Sequence, residues 1–334
     1  MRTYGFFVLK RFGQLLIVVF LGVSATFFIT HLSPLDPVEQ TMGRLTRQSG
    51  FSPEAQEAMR AALTELYGTD KPLLEQFYSF WSRLVRGDMG PSLLAFPTPA
   101  LRLVKRALPW TVGLLTTTVL ITWTVGNLLG GLAGYFQNSR LLKAFGVFAI
   151  GVQPIPYYIV AFIMLILFGF LWPVLPISGG AGMFVEPGWN IHYALSIVHH
   201  SILPASSIVV VGLGTWFLGM RALVSNVVTE DYVTYAEFGG VESRKIVGSY
   251  VIRNAMIPQL TALAMVLGGV FSGTIITEEV FSYPGVGTLL IDAVNAGDYT
   301  LVLAVTSISI ATVATAIFVI DLLYPLLDPR VRVR

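Results

Sequence analysis

Apolar and polar positions fall in long blocks along this chain rather than in short alternations. Six blocks are apolar and free of charge over close to 20 residues or more, enough for a helix to cross a hydrocarbon layer of roughly 30 Å. They are Phe12–Thr30, Ala107–Phe136, Ala144–Trp172, Ser201–Met220, Met256–Thr277 and Tyr299–Ile320. Backbone groups in such a layer must pair within their own segment, so each block predicts a helix. Two polar stretches interrupt the pattern. In Pro34–Arg106, Ser52-Pro53-Glu54 reads as a helix start with proline at the first position, and Gly68 as its stop. Leu73–Arg86 carries Phe77, Phe80, Trp81 and Leu84 on one side, the pattern of an amphipathic helix.

The second stretch, Glu230–Gln259, holds Glu230, Asp231, Glu237, Glu242, Arg244, Lys245 and Arg253. It is too polar to lie in hydrocarbon. Its apolar positions, Tyr232, Tyr235 and Ala236, then Val241, Ile246 and Val247, suit a short amphipathic helix and a second helix. Gly239-Gly240 supplies the turn between them. The expectation is a helical hairpin lying on one membrane face. An ordinary loop between two spans fits the composition as well.

Composition narrows the class. Of 334 residues, 54% are hydrophobic and 12% charged, about half the charge of a soluble domain. The chain is an all-α integral membrane protein on this reading. It has no cysteine, which excludes disulfides and thiolate metal sites. No basic patch lies outside short loops, so a nucleic-acid partner is not expected. The start, basic at Arg2, Lys10 and Arg11 and then apolar, has the outline of a signal peptide. The apolar run is long enough to span, and no small-x-small cleavage site precedes His31-Leu32-Ser33-Pro34, so a retained first span is favoured.

Lys and Arg set the orientation. Arg140 and Lys143 share one short loop, Arg244, Lys245 and Arg253 lie in the central stretch, and Arg330, Arg332 and Arg334 form the tail. The alternate loops, Pro173–Ala194 and Glu278–Asp298, contain neither residue. Both termini and the central stretch are therefore expected in the cytoplasm. Pro34–Arg106 falls outside despite Arg102, Lys105 and Arg106 near the second span, because long loops obey the charge rule poorly.

Several chemistries are missing. None of the six blocks contains Asp, Glu, Lys, Arg or His, whereas ion-coupled transporters keep ionisable groups at membrane depth. The Gly126–Gly131 run fits close helix packing. It is not followed by Lys-Ser/Thr, so it is no phosphate loop. His199 and His200 are adjacent, which on a helix points them apart and makes them a poor metal pair. His31 reads as an interface residue. Glu278 and Glu279 read as solvated outer-face carboxylates, with contact to a solute ammonium as the alternative. Asp321 and Asp328 flank the last span. No catalytic constellation is present. Asn127, Gln153 and Gln259 are candidates for an uncharged solute pathway, on polarity alone.

Spacing in the central stretch carries a resemblance. Ala236, Gly240, Arg253-Asn254-Ala255 and Pro258 resemble the EAA loop of ABC-importer permeases, in the branch that imports dipeptides, oligopeptides and nickel. YGTDKPLLEQF, RGDMGPS, EEVFSYPGVGTLLIDAVNAGDYTLV and DLLYPLLDPRVR resemble that branch in the same order. Two departures stand out: the Glu-Ala-Ala element survives only as Ala236, and Gly239 replaces an expected Lys. The resemblance implies a type I importer permease with six transmembrane helices. It implies an extracytoplasmic helical segment between helices 1 and 2, and a cytoplasmic coupling helix. The implied layout is residues 1–33 for the amino terminus and first helix, and 34–106 for the outer segment. It continues with 107–328 for the permease domain, with its coupling stretch at 230–259, and 329–334 for the tail.

The implied ATPase-coupling residues are Asp231, Tyr232, Ala236, Glu237, Gly239, Gly240, Arg253 and Pro258. The implied partners are a second homologous permease, two ATPase subunits, an extracytoplasmic solute-binding protein and membrane lipid. ATP and Mg would be bound by the ATPases and no cofactor by this chain. The implied solute is a dipeptide or oligopeptide. Nickel and oligosaccharide are alternatives, the latter because Leu108-Pro109-Trp110-Thr111 with Gly126-Asn127 suits a sugar-importing member. Outside the resemblance, a self-powered ion-coupled transporter or channel and a membrane-embedded enzyme are the competing classes.

Overall fold

The computed structural model describes residues 2–32, 38–39, 42–43, 52–270 and 273–327. The expected tail residues Arg330, Arg332 and Arg334, Asp328, and residues 34–37, 40–41 and 44–51 of the polar segment lie outside the described residues. The regular structure described is helical, with one isolated bridge between Pro91 and Pro99.

Helix α1 (Arg2–His31) runs antiparallel to the last helix. Phe12 meets Phe318 edge-on with ring centroids 6.0 Å apart, and Arg11 pairs with Asp321 at 3.2 Å. The start of the chain and the end of the last helix thus share one face. In the polar segment, α2 (Pro53–Tyr67) begins and stops where expected. The Ser52 hydroxyl accepts from the Ala55 N–H, and Gly68 closes the helix at φ 61. Helix α3 (Leu73–Val85) lays its aromatic side on the first span, Phe80 and Phe77 against Phe27 and Trp81 stacked on Phe20.

Helix α4 (Ala100–Tyr135) is 36 residues long, so Arg102, Lys105 and Arg106 sit in its first turns rather than in a preceding loop. The third apolar block is not one straight crossing. Helix α5 (Arg140–Val152) and α6 (Tyr157–Leu171) meet at 102°. Pro154 and Pro156 lie at the break, where neither can donate to a helical ladder. Helix α7 (Ile191–Val227), capped by the Asn190 side chain on the Tyr193 N–H, has 37 residues. It begins well before Ser201, so His199 and His200 lie inside it and not beyond its end.

Helices α4 and α7 run parallel and form the densest helix pair. A Cβ added at Gly126 would sit 2.6 Å from Trp216 Cβ, one at Gly134 2.6 Å from Val224 Cβ, and one at Gly130 inside the Phe217 carbonyl. The glycine stripe is what lets the two backbones touch.

After α7 comes a short helix, α8 (Asp231–Phe238), then α9 (Ser243–Gly269), which is π-helical over Ile246–Ile252. The second arm of the expected hairpin is therefore no separate surface helix. It runs without a break into the fifth crossing, because Ile246, Val247 and Val251 are buried and draw it into the bundle. That crossing ends at Gly269, short of Thr277. Two short helices follow, α10 (Ile275–Val280) and α11 (Val286–Ala296), then α12 (Tyr299–Leu327).

Candidate functional site

Helix α8 has two unlike faces. Val233 is fully buried among Met220, Val224, Ile246, Val251 and Ala255, with Ala236 beside it. Burying one valine stabilises by about 1.5–3 kcal/mol, so this side is anchored. The other side offers Tyr235 and Phe238 at 75% and 86% exposure. Asp231 and Glu237 are exposed beside them. Tyr232 ties the helix to α9, its hydroxyl accepting from Asn254 Nδ2 at 3.2 Å, while Asn254 also donates to the Tyr250 carbonyl.

The helix ends in a Schellman turn. The Gly240 N–H donates to Glu237 O at 3.0 Å and the Val241 N–H to Ala236 O at 3.1 Å. Gly240 sits at φ 72, the left-handed region where glycine alone is unstrained. Gly239 sits at φ −74, which any residue adopts. The departure at that position is thus conformationally neutral. Arg253 is exposed on α9. Pro258 lies within the same helix, beyond the π-helical turns, so it is part of the crossing rather than of the hairpin.

On the opposite face, Glu278 overturns an expectation. It is fully buried, not a solvated surface carboxylate. Its Oε1 accepts from Thr111 Oγ1 at 2.8 Å and its Oε2 from the Gly287 N–H at 2.7 Å. Thr111 Oγ1 in turn accepts from the Val286 N–H at 2.8 Å. The carboxylate thus joins α10, the start of α11 and α4. Burial pushes its pKa up, against the pull of these hydrogen bonds. Glycines make the approach possible: a Cβ at Gly285 would overlap the carboxylate, and one at Gly287 would lie 2.6 Å from Ile275 Cα. Glu279 is exposed.

A second buried carboxylate, Asp298, accepts from Ser92 Oγ at 2.5 Å, from the Leu94 N–H and from the Leu301 N–H. It pins the Gly90–Ser92 turn to the start of α12. Sequence reasoning missed both contacts. The one available signal was a carboxylate beside a glycine-rich run, Glu278 with Gly285 and Gly287.

The backbones of α4 and α7 approach where Gly212 meets Thr122, and an open cavity of about 600 Å³ is lined by residues of both on the Trp110 and Tyr193 side of that contact. Trp110, Gly113, Thr117, Tyr193, Ser201 and Tyr283 are among its lining residues. Tyr283 meets the Trp110 ring edge-on at 5.7 Å, and its hydroxyl lies 3.0 Å from Ser201 Oγ. The three pathway candidates are elsewhere. Asn127 and Gln259 are buried and share Trp123: Asn127 Nδ2 donates to the Trp123 carbonyl at 2.7 Å, and Trp123 Nε1 donates to the Gln259 carbonyl at 3.1 Å. Gln153 is exposed at the 102° bend. His199 and His200 have perpendicular rings 5.9 Å apart, and His200 Nδ1 lies 2.8 Å from the Ser196 carbonyl.

Comparison with known proteins places this geometry. The chain is similar to the dipeptide transport system permease protein DppB of Lactococcus lactis subsp. cremoris, 27% identical over 98% of this chain and 99% of that protein. It is similar to the di/tripeptide transport system permease protein DppB of Pseudomonas aeruginosa, 30% identical over 98% of each. It is also similar to the probable D,D-dipeptide transport system permease protein DdpB of Escherichia coli, 29% identical over 95% and 94%. Residues 126–333, which include α8, the cavity wall on α7 and Glu278, match the family described as "Binding-protein-dependent transport system inner membrane component". The match covers more than half of the chain, and the chain belongs to this family as a multi-pass transport subunit of the inner membrane.

Proposed function

We propose that this chain is one of two permease subunits in an ATP-driven importer of dipeptides or oligopeptides. Two ATPase subunits attach on the α8 face, which is cytoplasmic together with both termini. A solute-binding protein delivers solute on the opposite, extracytoplasmic face. The observation that carries the reading is the division of labour on α8. Val233 fastens the helix to the bundle while Tyr235 and Phe238 remain uncovered at the membrane surface. Uncovered aromatic side chains on an anchored helix suit insertion into a groove on a partner. The peptide solute is supported by the names of the relatives. Asp231, Glu237 and Arg253 would meet the ATPase, and Gly240 and Tyr232 hold the helix in place.

The chain performs no covalent step. ATP-driven closure of the ATPases pushes on α8, and the push passes through Val233 into α7 and α9. The test is co-purification with the ATPases from cells that also express the second permease, followed by peptide uptake into vesicles. Tyr235→Asp with Phe238→Asp should abolish ATPase attachment and uptake while leaving the amount of membrane-inserted chain unchanged. Full attachment and uptake in that variant would refute the docking role.

A further inference from the structure

We infer that the cavity between α4 and α7 is a subsite for one uncharged, apolar side chain of the solute as it enters from the extracytoplasmic face. The inference rests on the peptide reading above and adds which part of a peptide this chain recognises.

The first argument is charge. No lining residue of the cavity is ionisable in the physiological range. The nearest carboxylate, Glu278, is sealed, with each oxygen already accepting a hydrogen bond from Thr111 or Gly287. A peptide's ammonium or carboxylate end would lose its hydration there without a counter-charge, which is costly. An apolar side chain gains by the same transfer. The second is shape. A space of about 600 Å³ lies within the range of small-ligand sites. It has aromatic walls in Trp110 and Tyr283, and the Tyr283–Ser201 hydroxyl pair links the second of these to α7.

The third is how the wall is held. The Tyr283 N–H donates to the Glu278 carbonyl at 2.7 Å, and the Glu278 side chain is fixed to α4. The buried carboxylate therefore sets the position of the aromatic wall without itself lining the cavity. The fourth is the floor. Gly113 faces open space, with nothing within 4 Å of an added Cβ. A helix interior gains about 0.5–1 kcal/mol from replacing glycine by alanine, so glycine here costs stability and leaves room.

Because that room is empty, Gly113→Leu should fold and insert normally while projecting a branched side chain into the cavity. The experiment measures uptake of two labelled peptides, glycylglycine and phenylalanyl-phenylalanine, by the complete reconstituted importer. The binding protein is the same in every arm, so its preference cancels in the ratio of variant to wild type. Gly113→Leu should cut phenylalanyl-phenylalanine uptake by at least about tenfold, the usual scale for a steric mismatch of this size, and leave glycylglycine uptake nearly unchanged. Gly113→Ala should fall between. Gly13→Leu, another substitution into open space, should change neither. Equal uptake of both peptides by Gly113→Leu, or an equal loss of both, would overturn the subsite and point to lipid or the second permease as the occupant. No uptake of any peptide by the wild-type importer would instead overturn the peptide reading itself.

Discussion

Replacing Gly240 by valine tests the coupling role of α8 with a change whose cost the structure isolates. A Cβ at this position meets nothing within 4 Å, so no clash contributes. The cost is conformational. At φ 72 a residue with a Cβ is strained by about 1–2 kcal/mol, and a β-branched one by more. The chain can escape only by leaving the left-handed region. That breaks the Gly240-to-Glu237 and Val241-to-Ala236 hydrogen bonds, each worth about 0.5–1.5 kcal/mol net. Either route costs about 2 kcal/mol, a shift of roughly 30-fold against the docked turn. The crossings are untouched, since insertion follows the apolar segments. The assay compares membrane levels, co-purified ATPase and uptake for Gly240→Asn, Gly240→Ala and Gly240→Val. Loss should grow in that order, because asparagine tolerates the left-handed region best. Gly239→Ala, at φ −74, is the control and should stay close to wild type. Wild-type uptake by Gly240→Val with full ATPase attachment would refute the reasoning, and so would equal damage from Gly239→Ala.

Four further outcomes are expected. Thr111→Val leaves the Val286 N–H without its acceptor and Glu278 Oε1 without its Thr111 donor. It should lower the melting temperature of the detergent-solubilised chain by several degrees, a loss of about 1–3 kcal/mol per orphaned group, with Thr111→Ser close to wild type. Burial raises the Glu278 pKa above 4.5, so the folded chain keeps this proton where the unfolded chain releases it. Stability should fall as pH rises from about 4.5 through that window, and Glu278→Gln should flatten the slope in a melting series. Gly130→Ala should deplete folded protein in fluorescence-detected size exclusion far more than Gly131→Ala. The first Cβ would enter the Phe217 carbonyl, while the second meets flexible side-chain ends at 3.5 Å or more. In this cysteine-free chain, an impermeant thiol reagent should label Val85→Cys in intact outer-permeabilised cells but Leu141→Cys only after lysis, both positions being about 80% exposed. The reverse pattern would invert the topology.

Features fixed by neighbours in sequence were legible from the start. Ser52, Pro53 and Gly68 bound α2 because capping involves groups only a few residues apart. Gly240 takes its left-handed turn for the same reason. The crossings were visible as apolar blocks, yet hydropathy carries no direction. Pro154 and Pro156 stood in the third block while its apolar count still read as one span. Glu278 was misjudged because its burial depends on Thr111, 167 residues away. A carboxylate's surroundings are a tertiary fact that its local context does not encode. The cavity was invisible for a related reason. Its lining comes from α4, α7 and Tyr283, which the sequence keeps far apart.

The length of α7 has a mechanical consequence. Its 37 residues make a continuous lever of roughly 55 Å at 1.5 Å per residue. One end carries Tyr193 and Ser201 at the cavity, and the other leads within four residues into α8. Its pivot lies where the glycine stripe of α4 clasps Trp216 and Phe217. A tilt of about 10° about that pivot would swing the long arm's tip, at the cavity, by roughly 7 Å and the short arm's tip by roughly 3 Å in opposite senses. Pressure at one surface would then widen or narrow the gap at the other, with no relay of side chains in between.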